Sequence, residues 1–288
     1  FVSHDFSQFV VQAYFVVQVI KFSIKDVLSI LIGIIRFSYE DDVGIALFDD
    51  RNYPSPKCYR HQSIKTRTML LGCGVMVVYL IGLLDDLFGL SASLRFVIQI
   101  LAALSLPLCD LYLSNLHGFM WVEAIPGYVG VVLTIFFVVV MVNAINMVDG
   151  IDGLASMYVI LCLICFGFCF FDSGNLIYSY IASAMVGALT VFLHYNMFGS
   201  IEKRTKTFMG DSGSMMLGFS LAYLSIKYIC DEDNGSFDVQ ERMLLCMSLL
   251  FVPFIDLFRV VLERLFHGDR LFAADKRHIQ YKLMPERL

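Results

Sequence analysis

From about residue 68 onward the chain alternates long apolar runs with short polar breaks. A helix crosses a bilayer with about 20 mainly apolar residues, roughly 17 to 25 being tolerated, because hydrocarbon offers no partner to an unsatisfied backbone group. Seven stretches meet that rule: Thr68–Leu84, Leu94–Cys109, Ile125–Val142, Leu154–Phe171, Leu176–Phe198, Ser214–Cys230 and Met243–Leu262. Each ends in glycine, asparagine, aspartate or a charge cluster. The second is short enough to need tilt or snorkelling flanks. The run Phe9–Ile35 is apolar too, but Lys21, Lys25 and Asp26 interrupt it, and it predicts one or two weaker helices. The pattern therefore predicts an all-α fold, a polytopic transmembrane helix bundle. Its expected organisation is a divergent or truncated N-terminal region over 1–67 and a membrane domain over 68–288.

The polar breaks orient the bundle, since lysine and arginine in short loops stay on the cytoplasmic side while acidic residues count for little. The tail after Leu262 carries Arg264, Arg270, Lys276, Arg277, Lys282 and Arg287, and Gly199–Gly210 carries Lys203, Arg204 and Lys206. With both inside, Asn143–Gly153 and Asp85–Ser93 also fall inside. Asp110–Trp121, Asp172–Asn175 and Asp231–Glu241 fall outside and are almost free of basic residues. Four polar segments, the tail among them and three of them bearing aspartates, thus converge on one membrane face. Arg51–Arg67 breaks the scheme: it is basic, yet a single span separates it from Asp85.

Composition agrees with a lipid environment. The chain is 58% hydrophobic and 16% charged, against about 45–50% and about 25% for soluble domains. A net charge of −5 supplies no basic field for nucleic acid, so no nucleic-acid partner is expected. The eight cysteines are scattered through apolar runs, without metal spacing, and read as core residues. The chain opens with Phe1 and carries no legible signal peptide, so a missing true N-terminus is part of the expectation.

The candidate chemistry sits in the inward breaks. Asp85 and Asp86 end a hydrophobic run, where adjacent carboxylates either hold a divalent cation or simply solvate and cap helix ends. Asn143-Ala-Ile-Asn146-Met-Val-Asp149-Gly150-Ile-Asp152-Gly153-Leu154 is richer in polar groups than a plain turn, and its glycines let the backbone approach a ligand. Asp211, in Phe208-Met-Gly210-Asp211-Ser212-Gly213-Ser214, either binds a cation or caps the helix that follows. The tail set Arg270, Asp275, Lys276, Arg277 and His278 either binds phosphates or anchors to anionic headgroups. Several aspartate clusters with glycines and a basic tail on one face match what metal-assisted phosphoryl transfer requires.

At these residues the chain resembles the polyprenyl-phosphate N-acetylhexosamine-1-phosphate transferases, glycosyltransferase family 4, which include the WecA-like enzymes and the phospho-MurNAc-pentapeptide translocase. The matching stretches are Gly82–Asp86, Asn143–Leu154, His194-Tyr-Asn196, Phe208–Gly218 and Asp275–His278. The resemblance implies that the phosphate oxygen of undecaprenyl phosphate attacks the β-phosphorus of a UDP-N-acetylhexosamine, releasing UMP, with Mg2+ or Mn2+. It implies a cell-membrane enzyme whose cytoplasmic active site initiates an envelope glycan such as O-antigen, and a homodimer is compatible with it. By resemblance Asp211 is the main metal ligand, with Asp86. Asp85 and Asp86 face the acceptor phosphate, Asp85 being the candidate base. Asp149, Asp152, Gly150, Gly153 and Leu154 form the nucleotide-sugar side, and Phe208 stacks on uracil. Asn146 and Asn196 are polar partners, while Arg277 and His278 contact the diphosphate.

Two departures shape the expectation. WecA-like members carry His-x-His-His where this chain has His278-Ile-Gln280-Tyr281, which predicts weaker diphosphate binding. The family's early cytoplasmic loop is echoed only by Phe48-Asp49-Asp50 and His61. A GlcNAc-type transferase is therefore the leading expectation, and the alternatives are a catalytically impaired relative and a polytopic transporter or flippase.

Overall fold

The computed structural model describes residues 56–116, 125–200, 205–230 and 236–267, with the backbone alone over 56–66, at 239 and 261 and over 264–267. Expectations for residues 1–55, Asp49 and Asp50 among them, and for the tail beyond His267 lie outside the described residues, and His61 falls in a stretch whose backbone alone is described. Seven helices follow in order: α1 Pro56–Phe88, α2 Ala92–Leu108, α3 Gly127–Val148, α4 Leu154–Asp172, α5 Leu176–Phe198, α6 Gly210–Ile229 and α7 Val239–His267. All seven predicted apolar stretches are helical. Helix α1 is one unbroken run of 33 residues, about 50 Å long. A single crossing therefore joins its basic N-terminal turns to Asp85.

Among the described residues five helices are long and apolar enough to cross a membrane: Arg67–Phe88 within α1, Gly127–Val148, Leu154–Asp172, Leu176–Phe198 and Gln240–Val260 within α7. The chain is a multi-pass membrane protein. The two remaining helices depart from the expectation of seven clear spans for different reasons. Helix α2 has 17 residues, a little short of the usual crossing length. Helix α6 is long enough, but serines and glycines dilute its apolar character.

That dilution follows from where α6 sits. From Ser214 to Ile229 nearly every side chain is buried, so this helix faces protein rather than lipid. Small residues let neighbouring helices approach closely where lipid gives no hydrophobic drive to association. The hydroxyls of Ser214, Ser220 and Ser225 donate to the carbonyls of Gly210, Met216 and Leu221, at 2.9, 2.9 and 2.7 Å. The helix thus satisfies its own polar groups. Helices α1, α3, α4 and α7 pack against it.

Two opposite ends result. At one, Asp172 at the end of α4 accepts from the backbone and hydroxyl of Ser236 at 2.7 and 2.8 Å. Phe166 and Phe170 pack there against Tyr228, and Phe170 against Tyr178, with ring centroids 5.2 to 6.5 Å apart. The other end gathers the termini that carry the candidate site.

Candidate functional site

The site begins with a tight hairpin. Helix α1 stops just after Asp85 and Asp86, and the Leu90 amide donates to Asp85 Oδ1 at 2.7 Å while Ser91 caps α2. The reversal brings Arg95, one turn into α2, back over the end of α1. Arg95 Nη1 donates to Asp85 Oδ2 at 2.6 Å and to Asp211 Oδ2 at 2.9 Å. One guanidinium therefore joins two carboxylates from helices far apart in sequence. The Asp85 side chain is 8% exposed, whereas Asp211 is 35% exposed and open to a ligand.

Asp86 reaches the other way, to α6. Its two carboxylate oxygens accept the backbone N–H groups of Asp211 and Ser212 at 2.9 and 3.1 Å. The first amides of a helix lack intrahelical partners and carry partial positive charge, so a carboxylate from α1 serves as a cap in trans. Backbone closeness makes this possible. A Cβ on Gly82 would lie 2.5 Å from Ser212 Cα, and Gly210, at φ +68°, would place a Cβ 2.8 Å from Asp86 Oδ2. Glycine at both positions lets α1 and α6 meet.

Helix α3 completes the contacts of Asp211. Asn146 Nδ2 donates to Asp211 Oδ1 at 3.0 Å and to Ser214 Oγ at 2.9 Å. Asp149 ends α3. Burial, followed by the negative charges of Asp211, Asp152 and Asp86, pushes its carboxyl up to about 7.

A second group lies beside the first. The Gly153 amide, which opens α4 at Leu154, donates to Asn196 Oδ1 at 2.6 Å, and Asn196 Nδ2 donates to the Thr207 carbonyl at 2.8 Å. Lys206 Nζ pairs with Asp152 Oδ2 at 2.5 Å and stands 5.7 Å from the centroid of the Phe208 ring. Phe208 is 51% exposed, leaving aromatic surface for a planar ligand. Gly150 is exposed in the turn between α3 and α4.

The structure thus brings Asp85, Asp86, Asn146 and Asp211 into one hydrogen-bonded group, with Asp149 close enough to feel two of its charges. Gly153, Asn196, Asp152, Lys206 and Phe208 form the adjoining group. Arg277 and His278 lie outside the described residues. Sequence reasoning passed over Arg95, and it gave Ser214 no role beyond its place in the Asp211 motif. Arg95 did carry a signal, being the only charged residue in α2. A lone arginine in an apolar membrane helix calls for a partner.

Five aspartates here face two cations, Arg95 and Lys206, among the described residues. Excess negative charge and hard oxygen donors fit a divalent cation. No three acidic, histidine or cysteine side chains are arranged as a ready-made cage among the described residues.

The sequence profile of glycosyl transferase family 4 matches residues 68–229. An undecaprenyl-phosphate alpha-N-acetylglucosaminyl 1-phosphate transferase of Yersinia pestis is 29% identical over 226 residues, which cover 78% of this chain and 60% of that protein. A decaprenyl-phosphate N-acetylglucosaminephosphotransferase of Mycobacterium tuberculosis is 33% identical over 225 residues, 72% of this chain and 54% of that protein. A probable undecaprenyl-phosphate N-acetylglucosaminyl 1-phosphate transferase of Bacillus subtilis is 28% identical over 221 residues, 76% and 59%. The chain spans somewhat more than half the length of these relatives. The matched region contains Asp85, Asp86, Arg95, Asn146, Asp149, Asp152, Asn196, Phe208 and Asp211, and by this match the chain belongs to glycosyl transferase family 4.

Proposed function

We propose that the protein transfers N-acetylglucosamine-1-phosphate from UDP-N-acetylglucosamine to undecaprenyl phosphate at the cytoplasmic membrane face, as the first step of an envelope glycan. The observation that supports this most is the meeting of Asp86, Arg95, Asn146 and Asp211, from four helices, within hydrogen-bond distance at one end of the bundle. The relatives' names supply the acceptor and the sugar. In the transfer, an oxygen of the lipid phosphate bonds to the β-phosphorus of the donor. The bond from that phosphorus to the bridging oxygen breaks, and its electron pair leaves with UMP. The acceptor phosphate, with a second pKa of about 6, is largely dianionic at neutral pH and needs no base to remove a proton.

The protein's part is positioning and charge. Asp211, with Asp86 through the lone pairs its backbone contacts leave free, would hold Mg2+ or Mn2+. That cation would neutralise charge building on the transferring phosphoryl group. Arg95 steadies Asp85 and Asp211 and offers its remaining N–H donors to phosphate oxygens. Asn146 fixes the Asp211 carboxylate plane. Asp149 lines the nucleotide-sugar side, while Phe208 takes uracil on its exposed face, with Lys206 and Asp152 at its edge. Gly150, Gly153 and Leu154 shape the wall that Asn196 holds in place. Arg277 and His278 contact the donor diphosphate.

The five aspartates of the candidate site gather at the ends of helices, whereas a transporter would need ionisable groups along a path through its middle. Membranes containing the full chain, supplied with radiolabelled UDP-N-acetylglucosamine, undecaprenyl phosphate and Mg2+, should form labelled lipid, and Asp211→Asn should abolish it. Labelled lipid formed equally by both proteins would overturn the assignment.

A further inference from the structure

One turn deeper into the bundle than the site, the helices that carry Arg95 and Asn146 make a direct polar contact. Asn143 Nδ2 donates to Gln99 Oε1 at 2.7 Å, and its other N–H goes to the Val139 carbonyl at 2.7 Å. Gln99 is 3% exposed. A glutamine in an otherwise apolar helix is held there at a desolvation cost that only a fixed partner offsets. Gln99 follows Arg95 by four residues on α2, and Asn143 precedes Asn146 by three on α3, so each amide shares a helix face with a donor to Asp211. The helices run in opposite senses relative to the site: α2 leaves it and α3 arrives. A slide or rotation between them would therefore move Arg95 and Asn146 apart, and they could no longer reach Oδ2 and Oδ1 of the one carboxylate.

We propose that Gln99 and Asn143 are positioning residues: their amide–amide hydrogen bond sets the register of α2 against α3 and so brings Arg95 and Asn146 together on Asp211. The inference deepens the proposed transferase function. Its geometric core stands without that function, because it concerns how two donors meet one carboxylate. A hydrogen bond serves this purpose better than an apolar contact, since leucine packs acceptably at several registers and an amide pair satisfies itself at one.

Gln99→Leu, Asn143→Leu, the apolar pair Gln99→Leu/Asn143→Leu and the swapped pair Gln99→Asn/Asn143→Gln separate positioning from bulk stability. Removing both polar partners leaves no unsatisfied group, so the apolar pair should melt near the parent temperature. It should still lose about tenfold in kcat for lipid-product formation, with KM for UDP-N-acetylglucosamine little changed. The swapped pair, which keeps the span and the donor–acceptor match, should recover most of that loss.

An arm without activity reads the geometry directly. In the parent, the melting-temperature shifts of Arg95→Met and Asp211→Asn should be non-additive, and in the apolar-pair background they should add. Unchanged non-additivity in that background would overturn the proposal, as would an apolar pair that keeps parental kcat. A parent that makes no lipid product would overturn the transferase reading instead, leaving the melting-temperature arm to decide the positioning claim.

Discussion

Arg95 ties two parts of the site together, because one guanidinium nitrogen contacts both Asp85 and Asp211. Arg95→Met should lower kcat/KM by at least about 100-fold, equivalent to ~2.7 kcal/mol of transition-state stabilisation. Arg95→Lys should recover only part of it, since an ammonium lacks the planar fork; steady-state kinetics on the two variants checks both. Asp149 makes a pH prediction. Its folded carboxyl titrates near 7, against 3.8 for the ordinary group. Without divalent cation, the folded protein keeps a proton over that window which the unfolded chain has already lost. The stability contributed by Asp149 is thus full below about 3.8, falls as pH rises and is gone above about 7. Thermal unfolding in detergent should show this decline, and Asp149→Asn should flatten it; an identical pH profile in the variant would contradict the stated cause. The sequence pointed to Asp85, Asp86, Asp149 and Asp211 because several aspartate clusters share one face and match the family's motifs, whereas each alone reads as well as a helix cap. It did not reveal Arg95, since nothing local to a lone arginine says that its partner lies 116 residues away.

At the scale of elements, the N-terminus of α6 is the joint on which the site turns. Asp86 caps that helix from outside while also adding charge to the cluster, and two substitutions separate the roles. Asp86→Ala should lose the cap, about 1 kcal/mol of stability, together with activity. Asp86→Asn retains an oxygen that can accept one of the two N–H groups, so it should melt closer to the parent and yet be as inactive as the alanine variant. Melting curves and product formation on the same preparations test this, and an active Asp86→Asn would show that the cap alone matters. The helices themselves were legible from the apolar runs, α4 and α5 almost to the residue. The character of α6 was not: Ser214–Cys230 reads as one more lipid-facing span, whereas its serines and glycines belong to a helix surrounded by protein. Periodicity finds helices, but it cannot tell a lipid neighbour from a helical one when small residues are mixed among large.

For the whole molecule, the alternation of helix directions places the α1–α2, α3–α4 and α5–α6 connections at one end and the Asp172–Ser236 contact at the other. That grouping was predictable because each apolar run reverses the chain. Gly150→Cys and Gly174→Cys, in a background stripped of native cysteines, should therefore react with a membrane-impermeant thiol reagent from opposite sides, the first in inverted vesicles and the second in right-side-out ones. Labelling of both from one side would undo the arrangement. On the proposed reading, this gathered end moves a sugar together with its phosphate. UDP-N-acetylglucosamine carrying 32P in the β-position, supplied with the full chain, undecaprenyl phosphate and Mg2+, follows that phosphate. The label should pass into the lipid while unlabelled UMP is released in equal amount, whereas label leaving as UDP, or none reaching the lipid, would contradict the claim.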